Sequence, residues 1–110
     1  MGNLDRVELL KEYAKEEPEN PFNWYALAME YLSINPNESE KYFNKLLSSF
    51  EAYLPTYYTA ASFFSEQQNL EKAKETFEKG ITLAQEKQEF KTLQELRNAY
   101  QNFLFENDLD

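Results

Sequence analysis

Cysteine and histidine are both missing from this 110-residue chain. Without cysteine there are no disulfides, no thiol redox chemistry and no thiolate zinc sites. Without histidine the commonest metal ligand and the commonest general base are gone. No glycine-rich phosphate loop and no nucleophile elbow occur, which leaves only carboxylates, tyrosines, serines and lysines for chemistry. The expectation is a chain that is not an enzyme and that uses no metal and no cofactor. Basic residues are scarce, 11 against 20 acidic ones, for a formal net charge of −9. Both halves share the imbalance, with 5 basic against 9 acidic residues up to Phe50 and 6 against 11 after it. Nucleic acid needs a Lys/Arg footprint and anionic membranes attract the same charge, so neither is an expected partner. No apolar run approaches membrane-spanning length. The first residues lack the zones of a signal peptide, and Arg6 stands where a myristoylation signal needs Ser or Thr. The cytoplasm is the default expectation.

What is present is aromatic and helix-forming. Aromatic residues make up 16% of the chain, with nine Phe, eight Tyr and one Trp, and large rings let a short chain bury much area with few residues. Only two Gly and four Pro interrupt a background of Glu, Lys, Gln, Leu and Ala, so the fold class is all-α, with about six helices. The first, residues 4–17, starts after Asn3 and carries Leu4, Val7, Leu10 and Tyr13 on one stripe, with Leu9 and Ala14 beside it. It stops before Pro18. Asn20-Pro21 and Asn35-Pro36 are matching start signals for the second and third helices, a capping side chain followed by a proline whose missing N–H is not needed. Glu38 is placed to reach back toward the second of these caps. The buried faces are Trp24, Leu27, Ala28 and Tyr31, then Tyr42, Phe43, Leu46, Leu47 and Phe50. Pro55 opens the fourth helix, which runs to about Ser65. Asn69 caps the fifth, whose stripe is Leu70, Ala73, Phe77, Gly80, Ile81 and Ala84. Gly80 within that helix costs about 1 kcal/mol of propensity relative to Ala, and close approach of another helix is the simplest reason for it. The apolar phase slips near 85–88, which predicts a break before a sixth helix carrying Phe90, Leu93, Leu96, Tyr100, Phe103 and Leu104. Its other face, Lys91, Thr92, Gln94, Glu95, Asn98, Gln101 and Asn102, suits a solvated end cap.

One pattern occurs twice. Trp24, Leu27, Ala28 and Tyr31 precede Tyr57, Ala60, Ala61 and Phe64 by 33 residues each. Ser39, Phe43, Leu46 and Leu47 precede Ala73, Phe77, Gly80 and Ile81 by 34. Two helices per period in the thirties mark a helical solenoid.

These residues resemble the tetratricopeptide repeat family. Trp24-x-x-Leu27-Ala28-x-x-Tyr31 fits its first-helix signature, and Ala73-x-x-x-Phe77-x-x-Gly80 fits its second-helix signature. The resemblance implies a single domain over 1–110: a flanking helix, repeats at 21–51 and 54–85, and a capping helix at 88–106. It implies antiparallel helix-turn-helix repeats stacked as a short right-handed superhelix. The sequence departs from the pattern at Ser39, where the family prefers Ala, and at Leu46, where it prefers a small residue. The proline that closes each repeat is missing after both full copies.

The resemblance also implies a non-catalytic module that binds a peptide or helix of a partner protein in a concave groove. Counted from the buried faces, the groove side carries Phe22, Tyr25, Met29, Tyr58 and Ser62, with Ser65 beside them and Arg97 at the edge. A subset of the family grips chaperone carboxylates with basic residues on these helices, but here the matching positions hold Tyr25, Met29, Tyr58, Thr59 and Ser62, so that role is disfavoured. An aromatic-anchored peptide fits better, and a basic stretch in it would be attracted by the −9 charge. Trp24 is read as structural. Phe63 and Phe105 lie off their apolar stripes, so they either pack on neighbouring helices or form a patch covered by a second copy; the alternative function is thus self-association as a homodimer. The acidic clusters Glu16-Glu17-Glu19 and Glu38/Glu40 lack a calcium loop's turn glycine and read as solvated helix ends.

Overall fold

The computed structural model describes residues 3–109, with side chains from Asp5 onward. Among the described residues there are six helices and no strand: α1 (Asn3–Glu16), α2 (Pro21–Tyr31), α3 (Pro36–Ser49), α4 (Pro55–Glu66), α5 (Leu70–Glu86) and α6 (Phe90–Glu106). The fold is the all-α helical repeat expected from the sequence. Two compact units divide it, Met1–Tyr53 and Leu54–Asp110.

In the first unit α2 packs on both α1 and α3. The two Asn-Pro signals act alike. Asn20 Oδ1 accepts the Phe22 N–H at 3.0 Å and Asn35 Oδ1 accepts the Asn37 N–H at 3.2 Å, each satisfying a donor that the helix itself leaves open. The Glu38 carboxylate, expected to reach toward the second cap, pairs with Lys41 Nζ at 2.7 Å. Helix α1 begins at Asn3 itself; the side chains of Asn3 and Leu4 lie outside the described residues. Its buried line is Val7, Leu10 and Ala14, not the expected line through Tyr13. Tyr13 and Leu9 are 44% and 50% exposed. A seven-residue step from Val7 to Ala14 stays on the face turned to α2, and the small Ala14 is what fits there.

Trp24 is half-buried against this cluster. Its ring stacks on Tyr42 at 6.0 Å between centroids, and Tyr42 stacks on Tyr31 at 5.8 Å. Lys45 Nζ sits 4.6 Å from the Trp24 ring and Lys11 Nζ 5.8 Å from the Tyr31 ring, so a cation covers each end of the stack. The Trp24 indole N–H donates to the Pro18 carbonyl at 2.8 Å, which ties the α1–α2 turn to the core. Ser39, a departure from the repeat pattern, is fully buried, and its hydroxyl donates to the Ala28 carbonyl at 2.7 Å. The polar atom therefore has a partner, and burying it carries no unsatisfied group.

In the second unit α4, α5 and α6 each pack on the other two. Asn69 Oδ1 accepts the Lys72 N–H at 3.3 Å and caps α5 as expected. The ends of the helices follow a rule that carries no glycine. Gln68, Gln88 and Asp108 have φ of 63°, 58° and 55°, the left-handed conformation usually given to glycine after a helix. The next N–H in each case turns back to a carbonyl five residues earlier: Asn69 to Phe64 at 2.9 Å, Glu89 to Ala84 at 3.0 Å, Leu109 to Leu104 at 2.9 Å. Helices α5 and α6 are accordingly separate, with Lys87 to Glu89 between them.

The core of this unit is built on α4 and α5. A Cβ placed on Gly80 would lie 2.6 Å from Tyr57 Cβ, 3.1 Å from Tyr57 Cγ and 3.4 Å from Leu96 Cδ1. Gly80 is therefore the point of closest approach, as its propensity cost suggested. Helix α4 buries two adjacent lines, Tyr57–Ala61–Phe64 and Thr56–Ala60–Phe63. Phe63, read as a candidate self-association residue, is 6% exposed, with its ring edge-on to Phe64 at 5.5 Å. It is core, because α4 is covered on more of its circumference than one amphipathic stripe. Phe90 corrects the reading in the opposite direction, at 66% exposure. Side chains lean toward the N-terminus of their helix, so one at the first position projects past the helix end.

Phe77, Tyr100 and Phe103 form a ring cluster, with Phe77 5.5 Å and 5.4 Å from the other two. The Tyr100 hydroxyl donates to Glu78 Oε2. Burial, and then this bond to a carboxylate, push Tyr100 from an ordinary 10.0 up to about 12. The folded state thus holds the proton more tightly than the unfolded one. The stabilisation is complete below about pH 10 and is lost as pH rises from there toward 12, because the unfolded chain ionises first. Tyr100→Phe should flatten this part of the alkaline unfolding limb in circular dichroism melts. A parent-like loss in the variant would assign the limb to other groups, such as Tyr42 and Tyr53, which burial also raises.

Candidate functional site

The second unit carries a depression of about 280 Å³ between α4 and α6. Tyr58, Ser62, Ser65 and Glu66 line it from α4, at steps of four, three and one. Ala99, Asn102, Phe103 and Glu106 line it from α6, at steps of three, one and three. Each set occupies the helix face next to the buried one, so the depression is where two faces diverge above the core. Phe77 and Phe103, buried at 2% and 3% exposure, form its floor, and Tyr58 stands over it 46% exposed. The rim is polar: two serines, an asparagine and two glutamates.

The sequence-predicted residues divide between the two units. Tyr58, Ser62 and Ser65 come together in this depression. Arg97 is exposed but does not line it. Two residues before Ala99 is about 200° around an α-helix, on the far side of α6. In the first unit Phe22, Tyr25 and Met29 follow one another along α2 at steps of three and four. Phe22 and Met29 are 57% and 42% exposed. Tyr25 is half-buried, its ring edge-on to Tyr53 at 5.9 Å. A shallower apolar depression of about 430 Å³ lies beside Pro21, Phe50 and Tyr53. Phe105, the other off-stripe ring, is 76% exposed.

Glu66, Asn102 and Glu106 also line the depression, and the repeat register does not point to them. The step of four from Ser62 to Glu66 was a signal available in the sequence. Periodicity puts Asn102 on the solvated face of the sixth helix, and only the proximity of α4 turns that face into a wall. Among the described residues no group of three or more acidic side chains is arranged to hold a metal ion, and no helix is long and apolar enough to cross a membrane.

Comparison with solved structures gives the arrangement a context. The solution structure of a tetratricopeptide repeat domain protein from Salinibacter ruber is 32% identical over 79% of this chain and 89% of that one, with a TM-score of 0.74. The chain belongs to the tetratricopeptide repeat family. A crystal structure of a tetratricopeptide repeat domain protein from the same organism is 29% identical over 76% of this chain and 94% of that one, with a TM-score of 0.71. The family model for the tetratricopeptide repeat matches residues 54–87, which are α4, α5 and the turn between them. No curated protein matches the chain. Tetratricopeptide repeat domains are in general protein–protein interaction modules without catalytic activity.

Proposed function

We propose that this tetratricopeptide repeat protein is a non-catalytic adaptor that binds a peptide or helix of a partner protein, with the α4–α6 depression as a principal contact. The observation that carries the reading is an exposed aromatic, Tyr58, standing over an aromatic floor within a polar rim. Small-molecule and cofactor pockets run from about 300 to 1,000 Å³ and enclose their ligand. The α4–α6 depression is instead open, lying where two helix faces diverge, and suits one side chain of a longer ligand. The Phe22–Tyr25–Met29 line on α2 is a further contact surface of the same aromatic character. A basic stretch in the partner suits the charge, since residues 54–110 hold 6 basic against 10 acidic side chains.

Tyr58→Ala tests the assignment. Its ring is nearly half exposed, so helicity by circular dichroism should be unchanged. Affinity for peptides selected from a displayed random library should fall tenfold or more, about 1.4 kcal/mol. Unchanged affinity would remove Tyr58 from the site. Self-association remains the second reading, favoured by Phe105 and Phe90, both strongly exposed, near the two ends of α6. A monomer mass by light scattering that holds across a dilution series would rule it out.

A further inference from the structure

We propose that the α4–α6 depression is a subsite for a basic side chain, preferentially arginine, so that the ligand of this module is a segment carrying a positive charge at one defined position. The proposal rests on the peptide-binding reading and specifies its chemistry. Two features of the depression point the same way: carboxylates at its edge, and no cation beside them. Both carboxylates in its lining, Glu66 and Glu106, are the last residues of their helices, α4 and α6. The C-terminal turns of both helices therefore border it; their last carbonyls are mostly taken up by capping N–H groups, so the two carboxylates supply the negative charge. No basic residue lines the depression; α4 has none along its length and α6 has none after Arg97. Among the described residues neither glutamate is ion-paired, whereas Glu30, Glu38 and Glu75 are.

The remaining lining suits a guanidinium. Tyr58 offers an exposed ring for stacking, and Asn102, Ser62 and Ser65 add oxygen acceptors beside the two carboxylates. Arginine's planar fork presents five donors and stacks on aromatic faces, while lysine offers three donors around a point charge. An apolar side chain in the same place would strip water from two carboxylates and give them no partner. This differs from long-range attraction to an acidic surface, because it demands charge at one position in the ligand rather than on average.

A random nonamer library displayed on phage tests the proposal. Enriched peptides should carry arginine at a common position and should shift the amide resonances of Ser62, Ser65 and Asn102 in the labelled protein. Synthetic peptides in which that arginine is replaced by citrulline, a neutral group of the same shape, should bind at least tenfold more weakly. The double variant Glu66→Gln with Glu106→Gln alters two exposed side chains and should fold as the parent by circular dichroism. It should lose the distinction between arginine and citrulline. Peptides that bind at the depression without a basic residue, or equally well with citrulline, would overturn the cationic subsite and leave the peptide-binding reading standing. Discrimination that survives in the double variant would overturn it as well. Peptides that shift only other resonances would overturn the subsite and move peptide binding elsewhere, and enrichment of nothing would overturn both.

Discussion

Gly80→Val should destabilise the protein by about 3 kcal/mol, measured as a fall in the urea unfolding midpoint at unchanged slope. The reason is the geometry of the contact. The new Cβ would stand 2.6 Å from Tyr57 Cβ, an atom fixed to the α4 backbone that no side-chain rotation can move. Relief requires α4 and α5 to part. That separation opens the packing around Tyr57, Ala61 and Phe77, all of them buried. Overpacking of this kind typically costs about 1–3 kcal/mol, and the branched side chain, with Leu96 Cδ1 also close by, belongs at the upper end. Gly80→Ala separates the two effects at this position. Alanine gains about 1 kcal/mol of helix propensity over glycine, yet the same Cβ clash should leave it net destabilised by about 1–2 kcal/mol. An alanine variant more stable than the parent would show that the two helices can separate freely, and the close-approach account would fail.

Phe77→Ala should cost about 3–5 kcal/mol, the range for deleting a buried phenylalanine. For a domain of this size total stability is of the order of 5–15 kcal/mol, so this single change removes a large fraction of it. Phe77 is 2% exposed and touches both rings of its cluster, Tyr100 at 5.5 Å and Phe103 at 5.4 Å, so its loss leaves a cavity that two large rings cannot fill by small shifts. The melting temperature should drop by at least about 10 °C. Phe77 is also part of the floor of the α4–α6 depression. Phe77→Leu, nearer in volume, should cost less than about 1.5 kcal/mol and so fold. That variant allows the peptide affinity to be read on a folded protein, where loss of the flat aromatic floor should weaken binding severalfold. A Phe77→Ala variant melting with the parent would mean that the ring cluster collapses without penalty.

Helix starts were legible in the sequence because their chemistry is local. Asn20, Asn35 and Asn69 each cap through a side chain that reaches only two or three residues along. Helix ends were less legible. Gln68, Gln88 and Asp108 adopt the left-handed conformation without glycine, so nothing in the residue type marks them. The break between α5 and α6 was visible only as a slip in apolar phase. The candidate site was legible by half: Tyr58, Ser62 and Ser65 were placed from the repeat register, whereas Glu66, Asn102 and Glu106 join them only because α6 lies against α4.

The residues alone determined the all-α class, the cap positions, the doubled 33–34-residue pattern and the need for a close contact at Gly80. Each of these is written in the spacing of apolar side chains or in chemistry within a single turn. Tertiary structure decided that Phe63 is core, that Phe90 and Tyr13 face water, and that Arg97 stands away from the depression. Periodicity records the direction in which a side chain leaves its own helix. How many neighbouring helices meet it there is a property of the packed chain.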